Sequence, residues 1–332
     1  MAYTDSEDLN YLGTLFAMGN RITPFLNAIG APIDDQGNIN SAVLKTVNSF
    51  EFPVAQPYDT GSGAIPNIDE TSSVTGVAAV TITRGQDLQT CQIFMQKAEV
   101  SYKKLSTTGT INMGTPPEGA HNVDGVAMGI STNVAGNPVM NELDFQLMGR
   151  LRKMATDLDY TILNGVYQGA ATVATAAKMR GIKSAITTNA TAAGSAYLST
   201  SLINATLKKM VDAGAPLNNI IMVCNSFQRQ KVGALYEYVP MSRTEGGSSI
   251  QRVYTDFCEF GILYDPNCSV SEVYFVEMSM LRIVACPVTG RYIIIEDKAT
   301  DGASFAKQIY GQFSLDYGPE EYHGKITGLL YS

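Results

Sequence analysis

Apolar residues recur at steps of three and four along Pro138–Tyr167. Leu143, Leu147, Leu151, Met154, Leu158, Ile162 and Val166 therefore fall on one face of an α-helix. Asn141 is placed to cap the first turn, Glu142 and Asp144 put negative charge where the helix dipole favours it, and Gly165 and Gly169 mark the end. A continuous helix from Asn141 to Tyr167 would be about 40 Å long at about 1.5 Å per residue. A helix gains most of its stability from packing its apolar stripe, so something must lie along this one. Periodicity alone fits a bundle or a large α plus β domain equally well.

Shorter patterns flank it. Ser6 before Leu9, Leu12 and Phe16, and Thr23 before Phe25, Leu26 and Ile29, predict two short helices. Pro32–Asn40 reads as a turn; its Asp34, Asp35 and Asn38 lack the glycine and terminal glutamate spacing of a calcium loop. From Phe50 to Lys104 a hairpin arm is expected: Phe50 and Phe52 alternate, Gln56–Ser73 is a loop, Val74–Ile82 resumes β-branched character and Gln92–Val100 returns. Such an arm has too little core to stand alone in water and should rest on another surface. Ser106–Asn137 is polar and glycine-rich, the pattern of a functional loop. A short strand is expected at Gly181–Thr187 and a subdomain boundary at Asn189–Ala196.

The second half predicts a helix over Ser199–Ala213, a buried strand at Ile220–Val223 and a helix over Phe227–Tyr236 capped by Asn225 or Ser226, which together make an α/β unit. After a loop at Arg243–Ser249, strands are predicted within Val253–Tyr264, Glu272–Phe275, Leu281–Cys286 and Tyr292–Ile295. Gln308–Asp316 and Tyr322–Leu330 read as an antiparallel pair closing the fold.

Composition narrows the function. With 23 basic and 31 acidic residues the formal charge is -8, which argues against an intrinsic grip on nucleic acid. Only 16% of residues are charged, against roughly a quarter in a typical soluble domain, and this points to a surface partly covered by partners. Cys91, Cys224, Cys258, Cys268 and Cys286 form no CxxC pair and fit free thiols in a reducing compartment. No signal-peptide pattern or membrane-spanning apolar run is seen, so the product is expected to stay soluble inside the producing cell. His121 and His323 are the only histidines, and no zinc, phosphate-loop, dinucleotide or nucleophile-turn motif is present. Asp157 and Asp159 point to different sides of the helix and read as solvent-facing or salt-bridged rather than as an acid/base pair. Lys97, Lys103 and Lys104 read as charged edge protection or as a contact to an acidic neighbour or DNA, and Arg150, Arg152 and Lys153 as a solvated outer face or as contacts to Asp or Glu of an adjoining subunit. No catalytic, cofactor-binding or metal residue is assigned, and the chain is not expected to be an enzyme.

Several strings then converge in order. Gln92-Ile93-Phe94 followed by Val100-Ser101, Leu151–Gly165 with Asp157, Leu158 and Asp159, Met179-Arg180-Gly181-Ile182, Val253–Phe257, Ala306-Lys307, Gly311–Leu315 and Ile326–Leu329 resemble stretches of a group of major capsid proteins of tailed double-stranded DNA bacteriophages. Cys258 stands where that group has glycine. The resemblance covers most of residues 90–330 and implies an α+β fold of the Hong Kong 97 type. Its implied parts are an N-terminal arm (1–49), an E-loop hairpin (50–105), a polar insertion (106–137), a peripheral domain with a long spine helix (138–192), an axial domain (193–286) and closing peripheral strands (287–332).

It further implies hexamers and pentamers that tile an icosahedral virion head, assembled in the host cytoplasm as a procapsid that expands during packaging. The partners implied are further copies of the chain, a portal protein, a scaffolding function supplied either by a separate scaffolding protein or by a region removed from before the numbered sequence, and a decoration protein for which 106–137 would offer a surface. Double-stranded DNA would be enclosed without sequence-specific binding, and no membrane is involved. Phe94, Val100 and Tyr102 are expected to anchor the hairpin, Leu147, Leu151, Met154 and Leu158 to hold the spine helix on the peripheral sheet, and the 236–249 loop to approach the capsomer axis. No crosslinking lysine and asparagine pair is identified. The alternatives are an encapsulin-like nanocompartment shell and another phage structural protein, such as a tail protein.

Overall fold

The computed structural model describes residues 23–30, 32–33, 39, 44–56, 58, 63–77, 79, 81–82, 85–103, 142–236, 243–245, 248–299 and 302–332. The expected helix around Leu9, the 34–38 turn, the 106–137 stretch, Asn141 and His121 lie outside these residues.

The long helix, α3 (Glu142–Asn164), follows α1 (Pro24–Ile29) and α2 (Glu70–Thr75) in chain order. Its stripe behaves as the periodicity predicts: Leu143, Leu151, Met154, Leu158 and Ile162 are buried and Leu147 packs against the same core. The helix ends three residues before the expected Tyr167, and Val166 is exposed. Gly165 donates its N–H to Thr161 O at 2.8 Å, and Gly181 donates back to Gly165 O at 2.9 Å, so a returning segment occupies the place of a further turn.

The helix lies on a five-stranded sheet. Its centre is β13 (Ser304–Asp316), with β4 (Gln92–Ser101) antiparallel along one side and β12 (Ile293–Lys298) and β11 (Arg282–Ala285) antiparallel along the other; β1 (Lys45–Thr46) adds parallel to β11. Alternation puts Phe94, Ala98 and Val100 of β4 in the core and leaves Ile93, Met95 and Lys97 exposed.

A seven-stranded mixed sheet runs β5 (Ala190–Ala192), β14 (Gly324–Thr327), β10 (Val273–Glu277), β6 (Ile220–Cys224), β9 (Glu259–Tyr264), β8 (Ser248–Tyr254) and β7 (Arg243–Glu245). Both of its faces are covered, which is why β6 reads Ile-Ile-Met-Val-Cys without a polar break. Ile221, Val223, Tyr274 and Val276 join the core under α3. Ile220, Met222, Cys224, Val273 and Phe275 join a second core, which α5 (Thr200–Asp212) closes with Ile203, Leu207 and Met210 and α6 (Ser226–Leu235) with Val232. Ser199 caps α5 by accepting from Leu202 N–H at 3.4 Å.

Four local expectations are corrected. The return strand of the hairpin is β3 (Gln86–Thr90), paired with β2 (Glu51–Ala55), and not Gln92–Val100, which serves the five-stranded sheet. Val74–Ile82 forms no strand among its described residues: Glu70–Thr75 is helical, capped by Asp69. Gly181–Thr187 contains a helical turn, α4 (Ile182–Ala185), which buries Ile182 and Ala185. The described residues of 243–249 carry β7 and the start of β8, which pair antiparallel rather than forming a loop.

The expected closing pair is corrected as well. After β13 the chain turns at Gly318 (φ 64°) and a 3-10 turn at Glu320–Tyr322, so β14 enters the other sheet between β10 and β5. Thus β11, from the 193–286 span, bonds to β13, while β14, from the 287–332 span, bonds to β10.

Candidate assembly surfaces

The two-stranded sheet β2–β3 is separate from the two larger sheets. Phe52 and Val54 are buried at its root, but the described residues from 63 to 77 are all exposed except half-buried Ser72. This excursion carries Ile65 at 94%, Val74 at 86% and Val77 at 74% exposure. Among the described residues, no part of this chain covers these aliphatic side chains, which makes the excursion a candidate contact surface.

The root, in contrast, is clamped. Buried Gln89 donates Nε2 to Arg180 O (2.9 Å) and Leu315 O (3.0 Å) and accepts from Arg180 N–H (2.9 Å). The Arg180 guanidinium pairs with Asp87 of β3 at 2.5 Å, donates to Tyr317 Oη at 3.1 Å and lies over the Tyr167 ring. Burial and the Asp87 carboxylate raise the Tyr317 phenol to about 12, so it stays neutral and donates to Asp87 at 3.2 Å. Two strands with little core of their own are thereby fixed in direction by one glutamine and one arginine. Neither residue carries a sequence signal for this role, although Arg180 lies within the Met179-Arg180-Gly181-Ile182 stretch.

Phe94 packs on Phe313 at a ring separation of 6.2 Å, and Val100 is buried opposite Phe305. Tyr102 is 46% exposed and packs against Phe305 with ring centroids 5.0 Å apart, tilted by 60°. These three lie on or just beyond β4, which pairs with β13 and not with the β2–β3 hairpin, although Phe94 shares a core with Phe52 and Val54 of β2. Leu151, Met154 and Leu158 are covered by this chain's own sheet, and Leu147 is half-buried. The exposed side of the long helix instead presents Phe145, Met148 and Tyr160, and the open face of β4 presents Ile93 and Met95.

No cluster of polar groups arranged for chemistry occurs among the described residues. Burial pushes the Cys91 and Cys224 thiols up to about 12 and raises Cys258 and Cys268, leaving them protonated, unreactive packing groups. No His, Cys, Asp and Glu cluster fit for a metal occurs among the described residues, and no described helix is long and apolar enough to cross a membrane. Lys97 pairs with Glu99 and Lys153 with Asp157. The solvent-facing reading of Asp159 is corrected: its carboxylate is fully buried between α1 and the turn after β9, because Leu26 N–H and Asn267 Nδ2 donate to it.

His323 is fully buried, with Nε2 donating to Tyr317 O at 2.6 Å and Nδ1 accepting from Glu277 N–H at 3.2 Å. Burial lowers its pKa, so the folded ring stays neutral where the unfolded ring would charge. The stability this contributes is present above pH 6.5 and is lost as pH falls through the depressed folded value, at up to about 1.4 kcal/mol per pH unit. His323→Gln is expected to melt lower than wild type at pH 7 and to close that gap as pH falls to 5, read by thermal denaturation. A gap independent of pH would assign the ring a packing role only.

The comparisons with known proteins agree with this architecture. Solved structures share the fold across nearly their full length. The chain superposes on the holo-SrpI encapsulin complex of Synechococcus elongatus PCC 7942 with a TM-score of 0.57 at 8% identity, covering 100% of this chain and 98% of that one. For the capsid asymmetric unit of cyanophage A-1(L) the values are 0.56 and 10%, over 98% and 99% of the two chains. For the capsid of a native GTA particle they are 0.55 and 12%, over 99% and 100%. No curated protein matches. At such identities the likeness establishes the fold, an α+β capsid fold of the Hong Kong 97 type, and the sequence supplies the family: the model of the SU10 major capsid protein family matches residues 2–330, so this chain belongs to that family.

Proposed function

We infer that the closed icosahedral shell built by this structural protein is a tailed-phage head, made of hexamers and pentamers around double-stranded DNA. The observation that carries this reading is the match of a major capsid protein family over residues 2–330. The charge of -8 supports it, since a subunit that encloses DNA without gripping each phosphate lets the packaged strand move. In this reading 1–49 is the N-terminal arm, 50–105 the E-loop, 106–137 an outer insertion, 138–192 with 287–332 the peripheral domain on the spine helix α3, and 193–286 the axial domain. The detached β2–β3 hairpin and the long helix lying on a five-stranded sheet support the E-loop and spine assignments. Portal, scaffolding and decoration proteins complete the proposed assembly, which takes place in the host cytoplasm.

An encapsulin-like compartment is the second reading, favoured by the fold shared with the SrpI shell. Particles recovered from cells expressing the chain with its neighbouring genes decide between them. Negative-stain images should show closed shells, and nuclease treatment should leave protected double-stranded DNA. Shells that hold protein cargo and no nucleic acid would favour the compartment, and stacked rings would reject both.

A further inference from the structure

The first turn of α1 is held by groups its own sequence does not supply. Thr23, at the N-cap, makes no side-chain capping bond, and its buried hydroxyl has no hydrogen-bond partner. Two carboxyls from distant parts of the chain take the free amides instead. Asp159 of α3 accepts from Leu26 N–H at 2.9 Å, and Asp265, just after β9, accepts from Phe25 N–H at 3.3 Å. Asn267 ties the acids together, donating Nδ2 to Asp159 at 2.6 Å and its backbone N–H to Asp265 at 2.8 Å. Both acids are fully buried, and neither makes an ion pair among the described residues.

Two adjoining buried carboxyls without a cation do not both ionise at neutral pH. Burial and the neighbouring Asp159 charge push Asp265 up to about 8, and burial raises Asp159. Among the described residues, the surrounding elements offer no compensating positive charge. α1 has no titratable side chain; on α3, Asp157 is engaged by Lys153 and Gln96. On β8 and β9, Arg252 is paired with Glu259, and Tyr254 and Tyr264 are the other titratable groups. β6 brings Cys224, α4 brings Lys183, which is paired with Glu272, and the loop after Asp265 brings Cys268.

We propose that Asp159 and Asp265 share one proton and form a latch whose protonation sets how tightly α1 is docked on the body of the subunit. Undocking would return both acids to water, where each titrates near 3.8. The docked pair thus keeps a proton that the undocked pair releases, so the latch is strongest in acid and weakens as pH rises from about 4 to about 8. One proton released per opening makes the opening constant rise about tenfold per pH unit in that window. This goes beyond the shell reading and does not depend on it, because Phe25 and Leu26 are buried within a single chain.

The test is hydrogen exchange of the Phe25–Ile29 amides in the full chain from pH 5.5 to 9, corrected for intrinsic exchange, with β6 amides as the reference for global unfolding. Wild-type protection of α1 should fall about tenfold per unit to around pH 8 and then level. Asp265→Asn, whose amide supplies the shared hydrogen permanently, should flatten the profile; Asp159→Asn is the reciprocal variant, and either one suffices if the other does not fold. A flat wild-type profile, a slope shared equally with β6, or an unchanged slope in the variants overturns the latch.

Discussion

A chain lacking residues 60–73 is expected to fold with an unchanged melting midpoint and to fail to form closed shells. The described residues of that span, 63–73, are exposed apart from half-buried Ser72 and bury no apolar side chain, so removing them costs no core. The anchoring pairs from Glu51↔Thr90 to Ala55↔Gln86 and the Gln89–Arg180 clamp remain, with a shorter but sufficient link between the strands. What is lost is Ile65, 94% exposed, and Ile68, 54% exposed. Burying such side chains against a neighbour is worth roughly 1.5–3 kcal/mol each, so losing two weakens each contact by about a hundredfold or more. A closed shell repeats that loss at every subunit. Sedimentation velocity and negative-stain imaging read the assembly state, and thermal denaturation reads the fold. Particles of normal size and yield from the deleted chain would remove the excursion from the assembly surface.

How far the sequence disclosed this arrangement depended on whether each segment's partner was local. α3 and α5 were legible because a 3.6-residue period and a capping serine are written within one segment, and β6 because burial on both faces leaves an unbroken apolar run. Val74–Ile82 misled because β-branched character signals a strand only when a pleated neighbour packs against it, and Val74 and Val77 lie open. The destination of β14 was hidden for a related reason. Ile326 faces a buried strand wherever it pairs, and only the turn at Gly318 and Glu320–Tyr322 directs it to β10 instead of β13. Asp159 was misread because its donors, Leu26 and Asn267, come from segments remote in sequence. The exposed excursion could be suspected from its isolated aliphatics among glycine, proline and serine, but the clamp at its root could not: a glutamine that bonds two separate backbones looks like any other polar strand residue.

Gly181→Val is expected to be among the most damaging single substitutions in the subunit, for a reason that involves no backbone strain. A Cβ at 181 would sit 2.6 Å from Gly165 N and 2.7 Å from the carbonyl oxygens of Ile162 and Thr161, all of them backbone atoms at the end of α3. Backbone in a packed helix end cannot swing aside as a flexible side chain can, so the 179–181 segment must move as a unit. That movement breaks the Gly181 to Gly165 hydrogen bond, withdraws Ile182 and Ile186 from the core and drags Arg180 away from Asp87 and Gln89. Overpacking of this kind costs about 3 kcal/mol or more, and the valine should exceed Gly181→Ala. Gly165→Ala meets Met179 O and Thr161 O at 2.6 Å and should fail the same way, with the double variant less than additive because both disturb one contact. Gly149→Ala is the internal control. Its Cβ meets nothing within 4 Å on the exposed side of the same helix, and the change should stabilise by up to about 1 kcal/mol through helix propensity. Chemical denaturation of the four single variants separates the two cases. If Gly181→Ala and Gly149→Ala unfold at the same denaturant midpoint, the close approach of the two glycine backbones is not what ends the helix, and the clamp at the hairpin root must be held in place by something other than this crossing.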